Sequence, residues 1–154
     1  MKITQLSCFI ENRPGRLHAA CMALAARGVN IRTLSLADTA EFGILRLIVA
    51  DPEAGKAALE AAGYTVRLTD VVAVEVPDDA GGLARVLAET DAAGLNIEYM
   101  YAFSTAVGRN AVVIIRFSDP DRAVAELSRH SISIVKPVTL LKRRAAARLR
   151  RRAQ

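Results

Sequence analysis

The apolar positions of this chain fall into short runs whose period changes from two to about 3.6 and back, twice over. Ile3 to Ile10 reads as a strand, and Val71 to Val76 reads as another. After the first run, Leu17, Cys21, Leu24 and Gly28 stand at i, i+4, i+7 and i+11, one stripe of a helix. Pro14 suits its opening turn, with Asn12 or Arg13 as cap, and Gly28 and Gly94 suit left-handed C-terminal positions. Leu45, Leu47 and Val49 alternate with Arg46, which marks a half-buried strand, whereas Ala111 to Phe117 is more continuously apolar and better covered. Asp51-Pro52 and Asp119-Pro120 open Ala-rich helices carrying Leu59 and Leu127. Thr65 to Leu68 and Ile132 to Val135 read as closing strands.

The order strand, helix, strand, strand, helix, strand therefore occurs twice. The repetition is also literal. Gly15, Leu17, Gly28, Asn30 and Ile31 recur 66 positions later as Gly81, Leu83, Gly94, Asn96 and Ile97. Asp51-Pro52 recurs as Asp119-Pro120 at a spacing of 68, with the extra two residues absorbed near Glu41-Phe42-Gly43, where a hairpin turn tolerates insertion. The expected fold is α+β: two ferredoxin-like βαββαβ units with antiparallel sheets joined edge to edge and helices packed on one face. The expected boundaries are 1–69, 70–141 and a basic tail at 142–154. A unit of about 70 residues has a marginal core alone, so the two copies should pack as one body.

Composition changes the picture at one point. The chain of 154 residues is 52% hydrophobic, lacks Trp, and carries a net charge of +5. Seven of its positive charges lie between Lys142 and Gln154 with no acid among them, so the remaining body is at −2. The basic balance belongs to the tail and gives no ground for a nucleic-acid reading of the folded part. Leu141, Ala145 and Leu149 would make a thin amphipathic stripe there. A solvated terminus is the preferred reading, ahead of polyanion or membrane contact, because the stripe is narrow and without aromatics. No apolar run reaches the roughly 20 residues of a membrane span, and the first residues do not form a secretory signal, so a cytoplasmic location is expected. Cys8 and Cys21 fit no metal or redox spacing and read as reduced core thiols.

The candidate chemistry lies in the loops before the first helix of each copy. Asn12-Arg13-Pro14-Gly15 runs into a helix N-terminus, whose N–H groups and dipole suit a carboxylate, and Gly15 keeps the approach open. Asn30, opening the next strand, offers an acceptor for an ammonium and a donor for a carboxylate. Together these match a free α-amino acid. In the second copy Asp78 and Asp79 would favour an ammonium, and Asn96 is retained. Asn is also common after helix-ending Gly for local reasons. Tyr99, Tyr101 and Phe103 alternate in a strand and are read first as packing, second as a pocket wall.

These residues carry a resemblance. Glu11 to Leu17 with Gly28 to Ile31 resemble the ACT domain, an amino-acid-binding regulatory module, and in particular the serine-sensing ACT domain of phosphoglycerate dehydrogenases. With Asn96 to Phe103, residues 3–141 resemble the stand-alone tandem ACT proteins of bacteria. The resemblance implies an effector bound across an interface between ACT units by Asn12 and Asn30, with Arg13, Pro14, Gly15, Leu17 and Ile31 around them. In the second copy it implies Asp78, Asp79, Gly81, Leu83, Asn96 and Ile97. Where the dehydrogenases have His this chain has Ile10, which shifts the expected ligand from serine toward a larger or more apolar side chain. The pairings Asn12 with Asn96 and Asp78 with Asn30 are both open. The expectation is a sensor of a free amino acid, most simply a homodimer, acting on a regulated enzyme or transcription partner. The alternative is a ligand-free module that binds a partner enzyme. No catalytic triad, paired carboxylates, metal spacing or phosphate-binding Gly loop suggests an enzyme or a cofactor.

Overall fold

The computed structural model describes residues 1–38, 41–103 and 110–142. The first copy comprises β1 (Ile3–Glu11), α1 (Arg16–Ala26), β2 (Ile31–Asp38), β3 (Phe42–Val49) and α2 (Pro52–Ala61). A single long strand, β4 (Thr65–Pro77), then closes the first copy and opens the second. The two separate strands expected around a short linker are thus one, and the expected 69/70 boundary falls inside it. There follow α3 (Gly82–Ala92), β5 (Ile97–Ala102), β6 (Asn110–Phe117), α4 (Pro120–Arg129) and a short α5 (Pro137–Lys142). The basic tail beyond Lys142 lies outside the described residues.

All strands form one antiparallel six-stranded sheet in the order β2-β3-β1-β4-β6-β5. β4 is the hinge of the duplication. Its first half, Thr65 to Val71, pairs with β1, and its second half, Val72 to Pro77, pairs with β6 on the other flank. The closing strand expected at Ile132 to Val135 is reduced to one bridge, Val74 with Ile134, on the flank of β4 that β1 has left. Backbone bonds Glu75 N–H to Ser133 O (2.9 Å) and Val135 N–H to Ala73 O (2.9 Å) hold it there.

Alternation along β4 puts Val66, Leu68, Val72, Val74 and Val76 on the same face, beneath the four long helices. The cores of the two copies grow from that face: Leu6, Cys8, Leu24, Leu45, Leu47 and Leu59 in the first, Val113, Ile115, Phe117 and Leu127 in the second. On the opposite face Ile3, Ile48, Val71, Ala73, Val112 and Ile114 pack under Val135 and, from α5, Leu140. Burial on both faces is why β6 is apolar from Ala111 to Ile115.

The two Asp-Pro sites cap their helices as the sequence implies. Asp51 accepts from Ala54 N–H and Asp119 from Arg122 N–H, each at 3.0 Å, with Pro next in line. The first helices differ from expectation. α1 starts at Arg16, after a turn holding Pro14, and its cap position is Gly15 at φ 84° with no side-chain hydrogen bond, so neither Asn12 nor Arg13 caps it. Its buried stripe is Ala20 and Leu24, while Leu17 is 37% exposed and Cys21 half-buried, because α1 lies toward the open β2 edge.

Candidate functional site

The β1–α1 loop is held by backbone. Asn12 N–H donates to Glu41 O at 2.9 Å, which ties the loop to the start of β3, and Arg13 N–H donates to Glu11 O at 2.9 Å. The left-handed Gly15 turns the chain into α1, and Ala19 N–H returns to Gly15 O at 2.9 Å. Arg16 sits 4.7 Å over the Tyr64 ring, 3.4 Å from Glu11, while the Tyr64 hydroxyl donates to Arg16 O at 2.9 Å. These contacts fix the first turn and leave Arg13 exposed at the loop. Beneath the loop lies a recess of about 50 Å³ lined by Ile10, Glu11, Asn12, Arg13, Leu17, Leu36 and Gly43. Four of the expected site residues thus meet or flank one recess: Asn12, Arg13 and Leu17 line it, and Gly15 turns the loop beside it. Ile10, already marked by the resemblance, completes its floor with Leu36 and Gly43; the alternation of Leu34 and Leu36 is the sequence signal for Leu36.

Asn30 and Ile31 stand at the far end of α1, where Asn30 O accepts from Ala50 N–H at 3.1 Å and Ile31 packs on the first core. They therefore do not share a recess with Asn12 inside one unit. In the second copy Gly81 repeats the left-handed turn at φ 88°, and Leu83 packs on the second core. Asp79 is paired with Arg85 at 2.6 Å, which commits its charge, and Asp78 remains exposed. Asn96 donates to Ser118 Oγ at 2.7 Å and Ile97 opens β5. β2 and β5 are the two opposite edges of the sheet. Within a single chain, Asn12 is accordingly separated from Asn96, and Asp78 from Asn30, by intervening strands.

A second and much larger concavity, a cleft of about 790 Å³, follows the edge of β4 that β6 does not reach. On the helix side it is lined by Lys2, Thr4, Leu68, Asp70, Glu53, Pro120 and Asp121. Lys2 bridges Asp70 and Asp121, each at 3.0 Å, and the hydrogen bonds it donates, first to Asp121 and then to Asp70, raise its pKa. On the other face lie Ser7, Ile44, Arg46, Arg67, Thr69 and Tyr99. Next to them Gln5, fully buried, donates from Nε2 to Ser7 Oγ (2.9 Å) and Tyr99 OH (2.8 Å), and accepts from Tyr101 OH at 2.9 Å. Burial pushes the Tyr101 phenol above its usual range, reinforced by Tyr99 and opposed by Arg46. Burial likewise pushes the Cys8 thiol up to about 11 against the pull of Arg16, so it stays protonated. Among the described residues no cluster of three or more His, Cys, Asp or Glu could hold a metal, and no helix is long and apolar enough to cross a membrane.

Two ferredoxin-like units that share a strand, each with a Gly-led helix N-terminus beside its loop, define a duplicated α+β domain architecture. The chain belongs to the ACT domain pair family, which it matches over residues 1–142. Protein BT0572 from Bacteroides thetaiotaomicron is 39% identical, with 92% of this chain and 97% of that one covered and a TM-score of 0.85. The ligand-free regulatory subunit of aspartate kinase from Thermus thermophilus shares the fold at 18% identity and a TM-score of 0.59, covering 82% of this chain and 90% of that one. Aspartate kinase from Synechocystis does so at 19% identity and a TM-score of 0.58, covering 88% of this chain and 28% of the kinase. No curated protein matches the chain in sequence. The likeness of the first copy to the serine-sensing domain of phosphoglycerate dehydrogenase gains no support from these relationships.

Proposed function

We propose that this ACT domain pair is a regulatory protein that binds a free amino acid at the Asn12–Gly15 loop, with the site completed by a second copy of the chain. The observation that carries the reading is the recess under the loop, which opens beside the exposed edge of β2. The first N–H groups of α1 and the left-handed Gly15 suit the ligand's carboxylate, and Ile10, Leu17 and Leu36 suit an apolar side chain. Leu34 and Leu36, 44% and 42% exposed, flank the unpaired edge strand, an arrangement that calls for a partner. Antiparallel pairing of two β2 edges about a twofold would bring the start of one β2, with Asn30, to the end of the other, next to the Asn12 loop. Ligand bound across that seam would favour the paired arrangement over the unpaired one, which is how binding becomes regulation. The use of the same fold in regulatory subunits of aspartate kinase supports a regulatory role.

A thermal-shift screen of the protein against the twenty amino acids, followed by calorimetry, tests this. One or a few apolar amino acids should stabilise it by several degrees, with the effect lost in Asn12→Ala and Asn30→Ala. A flat screen of well-folded protein would instead favour a module that binds a partner enzyme without ligand.

A further inference from the structure

The face of the sheet away from α1–α4 carries, in the first copy, a row of side chains that the loop site does not use. Ser7 on β1 is directly opposite Arg46 on β3 and directly opposite Arg67 on β4. With neighbouring strands about 4.8 Å apart, the two arginines rise from backbones roughly 10 Å apart on one face, with a hydroxyl between them. Both line the large cleft. The other charges there are largely committed: Lys2 to Asp70 and Asp121, and Arg116 to Glu98 at 3.2 Å and to Asp70 O at 2.9 Å. Glu53 lies on the α2 side of the sheet, away from the row. Neither Arg46 nor Arg67 has a carboxylate partner among the described residues.

Arg46 is the informative member. Its guanidinium stacks 4.0 Å over the Tyr99 ring, and its Nε is out of contact with water yet has no acceptor among the described residues. A donor left without an acceptor is satisfied when an oxyanion comes within reach. The hydroxyls point the same way. Gln5 donates to both Ser7 Oγ and Tyr99 OH, so their lone pairs are engaged inward and the Tyr99 proton is left to donate outward. The contact between Ser7 Oγ and Thr69 Oγ1 at 3.4 Å leaves one further hydroxyl proton for the cleft. The row therefore offers donors: two guanidinium groups held by a stack and a strand register, and hydroxyls aimed by one buried amide.

We propose that this row is a binding site for an oxyanion, the carboxylate or phosphate group of a small metabolite, separate from the loop site. Planar guanidinium groups match both oxyanions bidentately, and the cleft has the size of a small-molecule site. A second copy laid on this face by a twofold would set arginines against arginines, and the basic tail would meet the same repulsion, so neither is the occupant the charges select.

The test is titration of the full chain with inorganic phosphate and, separately, with malonate, followed by calorimetry and by amide shifts of Ser7, Arg67 and Thr69. Saturable binding by either probe, shifts confined to those amides, and at least tenfold weakening in Arg46→Gln/Arg67→Gln support the site; the preferred probe names the ligand's group. No saturable binding of either probe would overturn it, as would unchanged affinity in the folded double variant. Asn12→Ala should leave the titration unchanged; its loss there would place the anion at the loop and overturn the proposal. Because amino-acid binding is read on Asn12 and Asn30 and anion binding on Arg46 and Arg67, either reading can fail alone.

Discussion

Gln5 on β1 and Tyr101 on β5, 96 positions apart, meet in a 2.9 Å hydrogen bond across the face of the sheet away from α1–α4. The amide is fully buried and also holds Tyr99, so one side chain of the first copy fastens two tyrosines of the second. Gln5→Ala would leave two phenol groups without their partner at a buried site. The expected loss is about 2–3 kcal/mol in chemical denaturation, against about 1 kcal/mol for Tyr101→Phe. Equal losses from the two variants would argue against the amide as the junction.

Gly82 and Gly15 make a contrasting pair. A Cβ at Gly82 would lie 2.0 Å from Pro77 O, a backbone atom that cannot swing away. Gly82→Ala should therefore unfold the protein or cost more than about 3 kcal/mol. At Gly15 a Cβ meets nothing within 4 Å, and only the left-handed backbone at φ 84° opposes it. Gly15→Ala should cost about 1–2 kcal/mol, measured as a fall in Tm.

Ser131, at φ 58°, holds after α4 the left-handed position that Gly63, at φ 83°, holds after α2. Ser131→Gly relieves the side-chain strain and gives part of it back in chain entropy. A net gain of roughly 0.5–1 kcal/mol is expected, visible as a small rise in Tm.

The alkaline limb of the stability profile should report Cys8. Its pKa rises from 9.0 to about 11 on folding because burial disfavours the thiolate. Between those values the unfolded chain gives up a proton that the folded chain keeps. Stability present below pH 9 is accordingly lost as the pH climbs toward 11. Tyr101, shifted in the same direction, adds to the loss at higher pH. Cys8→Ala should start less stable but fall less steeply over that interval, as followed by urea denaturation at a series of pH values.

The β2 edge carries the oligomer prediction. Leu36→Asp puts a charge beside the loop recess and on the seam without touching the core, since Leu36 is 42% exposed. Sedimentation should show wild-type dimer and mutant monomer, with amino-acid stabilisation lost in the mutant. A monomeric wild type that still binds an amino acid would remove the second copy from the site.

Much of the architecture was legible because local chemistry and global fold agree. The Asp-Pro caps, the left-handed glycines and the 3.6-residue stripes each specify an element that the sheet then accepts. The position of the loop was legible for the same reason, since Asn12, Arg13, Pro14 and Gly15 are contiguous and their geometry is set by a turn. Gln5, Arg46 and Arg67 were not. Each is a polar residue in a strand, indistinguishable in sequence from one facing solvent until the register of three strands sets them side by side.

What the sequence determined by itself is the duplicated unit, its order of strands and helices, and the position of the loop at each first helix. These follow from periodicity, capping and turn chemistry, which act over a few residues. Only the tertiary structure decided that the two copies share β4, that the last strand shrinks to one bridge at Ile134, and that β2 and β5 become opposite edges. Those outcomes depend on which flank of a strand is already occupied. Once β1 and β6 have each taken a half of β4, the remaining pairings and the cleft along its open edge follow from hydrogen-bond saturation.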